Sequence, residues 1–125
     1  ETGTRVQSVT GGGHSGGGVF INTYDHARFG LLFARSGRWN EKQLISKEWI
    51  AQARMPSEAR DNYGYMWWLN STGAWEGVPK TVYYAAGFGG NFIIVDDEKD
   101  LVIVTRWLQP SEIDQFVKMV YDALD

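Results

Sequence analysis

Two stretches of this 125-residue chain set residues of chemical interest close together. Residues 11–18 read GGGHSGGG, with His14 and Ser15 held between six glycines. A histidine beside a serine suggests a base and a nucleophile. Adjacent side chains on an extended segment point apart, however, which is poor geometry for a proton relay. Two readings of His14 stay open: a loop histidine with a local hydrogen bond, or one facing a site from a flanking loop. The second stretch, residues 81–108, reads TVYYAAGFGGNFIIVDDEKDLVIVTRWL. Its glycines, Gly87, Gly89 and Gly90, free backbone N–H groups to face a ligand instead of a neighbouring side chain.

Several other chemistries are excluded or disfavoured. The chain has no cysteine, so disulfides, thiolate metal sites and cysteine nucleophiles do not arise within it, and this absence fits any compartment. His14 and His26 are the only histidines and show no metal-ligand spacing, so no metal and no cofactor is expected. His26 reads as a surface residue of a helical first turn. Asp96, Asp97, Glu98 and Asp100 cluster where a hairpin turn is expected, and a solvated tip is the natural reading. The run from Gly87 to Gly90 leads into a strand, not a helix, so it is no dinucleotide fingerprint. A net charge of −3, with cations scattered singly as at Arg28, Arg35 and Arg38, argues against nucleic acid as a partner. No run approaches the ~20 apolar residues that a membrane span needs. Asn70-Ser71-Thr72 matches a glycosylation sequon, meaningful only in a eukaryotic secretory context.

The elements that must position these residues are legible from pattern. Fifteen glycines together with six each of Trp, Tyr and Phe suggest a site lined by rings and bounded by loops. Residues 1–10 read as an extended lead-in, and residues 11–18 as a linker or a tight loop passing close to other atoms. From Asn22 a helix is predicted, with Thr23 as N-cap, Asp25 in the first turn and Gly37 at C′. A second helix is predicted over 47–54, capped by Ser46, with Trp49 and Ile50 facing inward and Met55-Pro56 ending it. Residues 62–69, NYGYMWWL, are a strand by composition, covered on both sides. Residues 71–80 form a loop. Three apolar runs, 82–86, 92–95 and 101–107, joined by tight links, predict an antiparallel meander. Pro110-Ser111-Glu112 opens a terminal helix whose Ile113, Phe116, Val117, Val120, Tyr121 and Leu124 make one apolar face.

The succession of segments carries a resemblance. The run GGGHSGGGVFINTYDHARFGLLFARSGRWNEKQLISKEWI, then YGYMWWL, then YYAAGFGGNFIIVDDEKDLVIVTRW, resembles the C-terminal part of the beta-lactamase-like serine hydrolases. That superfamily takes in class C beta-lactamases, penicillin-binding DD-peptidases and related esterases. The resemblance implies an α+β fold, an antiparallel sheet covered by helices, forming part of the penicillin-recognising fold. It implies one unit over 1–125, with the glycine loop and helical part in 1–61 and the strands plus C-terminal helix in 62–125. In such enzymes a Ser-x-x-Lys serine attacks a carbonyl, a Tyr-x-Asn motif assists proton transfer, and a Lys-Thr-Gly or His-x-Gly strand borders the site.

Neither Ser-x-x-Lys nor a well-placed Tyr-x-Asn occurs here, so both are expected upstream of Glu1. The third motif has a counterpart in Ala85-Ala86-Gly87, where the lysine or histidine is replaced by alanine. Phe88 would then give the oxyanion-hole N–H from its backbone, with His14 and Ser15 in a loop flanking the site. The implied partners are the missing N-terminal part of the same hydrolase, or a second copy of the chain, and a small acyl substrate for the whole enzyme. The chain alone is expected to be inactive, and an export signal for a periplasmic or secreted enzyme would lie upstream. The alternative is a stand-alone binding or interaction module with an aromatic-lined groove.

Overall fold

The computed structural model describes residues 7–9 and 18–124. The expected glycine loop, with His14 and Ser15, lies outside the described residues apart from Gly18. Strands β1 (Gln7–Val9) and β2 (Gly18–Phe20) pair antiparallel, an element that composition did not suggest.

Helix α1 (Thr23–Ala34) is capped by Asn22, not Thr23: the Asn22 Oδ1 accepts the Asp25 N–H at 2.8 Å. Asn22 has the extended backbone that a cap needs, whereas Thr23 already has helical pairing. At the other end Ser36 takes the left-handed C′ position and Gly37 falls at C″. Their N–H groups bond Phe33 and Leu32 carbonyls at 3.0 and 2.8 Å, closing a Schellman motif one residue earlier than predicted. A short hairpin, β3 (Arg38–Trp39) with β4 (Lys42–Gln43), leads to α2 (Lys47–Ala53), which Ser46 caps as expected. Ile50 is buried, but Trp49 is half exposed and stacks on Tyr65 at 5.5 Å, so only one of the two expected residues faces inward.

The predicted strand over 62–69 is mostly a tight turn. Only β5 (Trp68–Leu69) is extended, and the Gly64 N–H bonds the Trp67 carbonyl at 2.8 Å to close the chain on itself. Ring-rich composition favours strand, but Met66 at positive φ and the Tyr65 N–H bond to Ala53 override it. Residues 71–80 form the expected loop, yet the Asn70 sequon is not presented. Asn70 is 1% exposed, its amide donates to Val78 and Pro79 carbonyls, and its Oδ1 accepts the Trp75 N–H.

The meander is as predicted, with β6 (Tyr83–Gly87), β7 (Asn91–Asp96) and β8 (Leu101–Thr105) antiparallel, so that the sheet order is β5-β6-β7-β8. Side chains alternate between its faces. Tyr83, Ala85, Ile93 and Val95 meet α1, α2 and Trp67 on one side. Val82, Phe92 and Ile94 meet α3 (Ile113–Asp122) through Ile113, Val117 and Tyr121 on the other. Phe116 and Leu124 stay largely exposed at the borders of the α3 stripe. The acidic cluster is a solvated tip only in part: Glu98 and Asp100 are exposed in the turn, whereas Asp96 and Asp97 are held by the fold. Asp96 is 1% exposed, accepts the Tyr121 hydroxyl at 2.5 Å, and receives the Glu98 and Lys99 N–H groups. Asp97 holds a two-pronged pair with Arg54 at 2.6 and 3.2 Å.

Helix α1 rides close on β7 and β8 because Gly30 has no side chain. A Cβ there would lie 2.6 Å from Val102 Cγ1 and 2.8 Å from Ile93 Cγ2. Both neighbours are β-branched with stiff χ1, so neither yields easily. Helix propensity favours Gly30→Ala by about 1 kcal/mol, while overpacking costs about 1–3 kcal/mol. We expect Gly30→Ala to destabilise the chain by roughly 1 kcal/mol, the difference between those two effects. A urea midpoint equal to or above that of the unsubstituted chain would contradict this packing.

Candidate functional site

The sheet ladder runs out along the outer edge of β6. β5 pairs only with Tyr83 and Tyr84, leaving Ala85, Ala86 and Gly87 without a strand beside them. The Asn70 N–H reaches the Val82 carbonyl at 2.9 Å, so the backbone groups of Val82 face the β5 side. Alternation along a strand turns those of Tyr84 and Ala86 the same way, and those of Gly87 toward β7. The chain has no cis peptide among its described residues. In a trans peptide C=O and N–H point oppositely, so the Phe88 N–H faces the open edge. No acceptor meets that N–H among the described residues. The Phe88 ring, 96% exposed, contributes no packing there.

The corner behind this N–H is braced. The Phe88 carbonyl accepts Asn91 Nδ2 at 2.6 Å, Asn91 Oδ1 accepts Arg106 Nε at 3.0 Å, and Arg106 Nη1 donates to the Ile21 carbonyl at 3.0 Å. Gly90, the turn residue just before β7, has φ 73°, and a Cβ on it would collide with the Leu108 backbone. That close approach lets the Gly90 carbonyl accept the Thr105 hydroxyl at 3.2 Å and the Leu108 N–H at 3.3 Å.

Two recesses meet at Ala85 and Ala86. One, of about 210 Å³, is lined by His26, Asn91, Phe92 and Ile93 together with Ala85–Gly87. The other, of about 420 Å³, is lined by rings that include Phe29, Trp49, Tyr65 and Trp67. Phe33 and Tyr83 flank Trp67 with ring centroids at 4.6 and 5.1 Å, which fixes the floor of this groove. His26 is therefore not a plain surface residue. It is half-buried, and its Nδ1 is fully buried with no partner among the described residues.

Ala85, Ala86, Gly87 and Phe88 thus stand together at one strand end, and no Lys or Arg side chain among the described residues lines either recess. His14 and Ser15, the expected flanking pair, lie outside the described residues. No serine among the described residues lines either recess. Among the described serines, Ser46 caps α2 and Ser57 and Ser71 bond nearby backbone. No group of three or more His, Asp or Glu side chains gathers among the described residues, and no helix among them is long and apolar enough to cross a membrane. Sequence reasoning missed His26, Asn91 and Arg106. Asn91, a lone carboxamide opening an apolar strand after two glycines, was the one available signal.

No family model matches the chain, and no curated protein matches it. Solved structures do match. One is described as "Putative 6-aminohexanoate-dimer hydrolase from Bacillus anthracis", with a TM-score of 0.63 and 20% identity, covering 86% of this chain and 29% of that one. The likeness is one of fold. The architecture is α+β, an antiparallel sheet with helices on both faces, and corresponds to part of the beta-lactamase-like fold of this neighbour. The chain spans less than a third of that protein's length, at 29%.

Burial lowers the His26 pKa below its usual 6.5, the Arg106 guanidinium lowers it further, and Asp25 opposes both. The folded state therefore prefers the neutral imidazole. Its contribution is complete above pH 6.5 and is lost as pH falls through the lowered folded value. We expect unfolding free energy to drop with acidification over that window, and His26→Gln to flatten that part of the profile. Identical pH profiles for the two proteins would remove His26 from the account.

Proposed function

We propose that this chain is the C-terminal portion of a beta-lactamase-like serine hydrolase, a single unit over 1–125 that supplies the oxyanion strand. The carrying observation is the Phe88 N–H, which faces an open strand edge without an acceptor. A serine from a Ser-x-x-Lys segment outside these residues attacks the substrate carbonyl, and the carbonyl oxygen becomes an oxyanion that the Phe88 N–H receives. Collapse expels the alcohol or amine and leaves an acyl-serine, which water cleaves to the acid. Ala85 offers no charge where the family pattern has lysine or histidine. A neutral ester or amide therefore suits this strand better than a substrate anchored by a carboxylate.

The edge strand β8 supports the partner this reading requires. β8 reads Leu-Val-Ile-Val-Thr, is apolar along its first four residues, and yet is the edge of the sheet among the described residues. Edge strands normally carry charge, proline or a bulge to prevent pairing, whereas continuous apolar runs belong to interior strands. The rest of the hydrolase would place a strand there; without it, a second copy would. A stand-alone binding module is the second reading, favoured by the ring-lined groove of about 420 Å³.

Two measurements separate these. In the hydrolase that contains this segment, Phe88→Pro removes the N–H and should lower kcat roughly 10²–10³-fold, while Phe88→Ala, which keeps it, changes kcat little. The 125-residue chain alone should resist a fluorophosphonate serine probe, and stoichiometric labelling of it would refute the missing nucleophile. In sedimentation the isolated chain should self-associate. Ladder alternation turns the Val104 N–H to the free edge, so Val104→Pro should suppress that association without loss of far-UV circular dichroism. A monomeric unsubstituted chain would favour the binding module.

A further inference from the structure

An oxyanion donor works only if it is held in place before charge develops. Gly87, Gly89 and Gly90 surround Phe88, and glycine restrains its own backbone least of all residues. Something other than local stereochemistry must hold the Phe88 peptide. Asn91, opposite Gly87 in the β6–β7 register, is placed to do so. Arginine nitrogens can only donate, so Asn91 must turn its oxygen to Arg106 and its NH₂ to the Phe88 carbonyl. The ladder holds the Gly87 carbonyl and Asn91 holds that of Phe88, so both peptides flanking the Phe88 Cα are tied. The second Arg106 contact, to Ile21, anchors the strut in the segment between β2 and α1.

We propose that Asn91 and Arg106 are positioning residues that set the Phe88 N–H at the open edge of β6, bracing it against the chain where it leaves β2. The inference rests on reading that N–H as the oxyanion donor. The strut itself can be observed without catalysis.

The test uses Asn91→Asp and Arg106→Lys. The first keeps the shape and the pairing with Arg106 but loses the donor to the Phe88 carbonyl. The second keeps the charge but not the fork that reaches both Asn91 and Ile21. In the unsubstituted chain, ¹⁵N relaxation should give Phe88 and Gly89 order parameters near ~0.85, falling below ~0.6 in either variant while the β7 amides stay rigid. A Phe88 already mobile in the unsubstituted chain overturns the strut with no variant needed, as does one equally rigid in both variants. In the hydrolase that contains this segment, each variant should lower kcat about 10–100-fold with KM held within about twofold, the signature of an interaction made in the transition state. A probe-reactive enzyme whose kcat neither variant changes overturns the positioning role. A full-length protein that no serine probe labels overturns the hydrolase reading instead, and leaves the relaxation result to judge the strut.

Discussion

A sheet must satisfy its backbone, and this one stops doing so at a definite place. β5 is two residues long and covers β6 only as far as Tyr84. Beyond that point the groups of Ala86 and Phe88 need water or a ligand, because unmade backbone hydrogen bonds are costly once buried. The turn over 62–67 is what keeps β5 short. Its closure through Gly64 and Trp67 spends on a loop the residues that would otherwise extend the strand. The same closure puts Trp67 under Phe33 and Tyr83, so one local fold both opens the edge and lines the groove beside it.

The two ends of the β6–β7 pair are built in opposite ways. At the Asp96 end both carboxylates are answered within the chain: Tyr121 and two backbone N–H groups meet Asp96, and Arg54 grips Asp97 while lying 4.3 Å over the Tyr83 ring. Burial and the Asp96 hydrogen bond push the Tyr121 hydroxyl pKa well up, so it serves as a permanent donor. At the Gly87–Gly90 end the polar groups are answered only behind the corner, by Asn91 and Arg106. The forward N–H is left open. A closed end fixes the register, and that register delivers Phe88 to the edge.

Much of this fold is legible in the sequence. The meander follows from period-two apolar runs, and α3 follows from the spacing of Ile113, Val117 and Tyr121. Helix α2 announces itself by its Ser46 cap, and α1 by polar cap residues that fall one position from those expected. Failures came where non-local contacts decided the outcome. Nothing near Asp96 signals a tyrosine 25 residues away that would bury it. His26 reads as a first-turn surface residue until α1 packs on β7. The ring-rich run over 62–69 has strand propensity but meets α2 carbonyls that turn it back. The candidate site was half legible: Ala85–Phe88 came from a resemblance in segment order, whereas the strut behind it joins residues 15 and 85 positions apart.

The alanine at position 85 bears on what the site can hold. Lysine or histidine there would place a charge or an imidazole donor on the strand, aimed at an anionic part of the substrate. Here the side chain instead packs with Tyr83 and Ile93 on the apolar α1 face, and no Lys or Arg among the described residues lines either adjoining recess. The imidazole that does stand nearby, His26, comes from α1 and is kept neutral by burial and by Arg106. A carboxylate brought to this strand would lose its hydration and find the nearby Arg106 guanidinium already engaged by Asn91 and the Ile21 carbonyl, which is costly without a partner. An uncharged acyl group would lose little on the same path and would gain contact with the rings of Trp67 and Phe29. On the proposed hydrolase reading, selectivity at this strand would turn on desolvation.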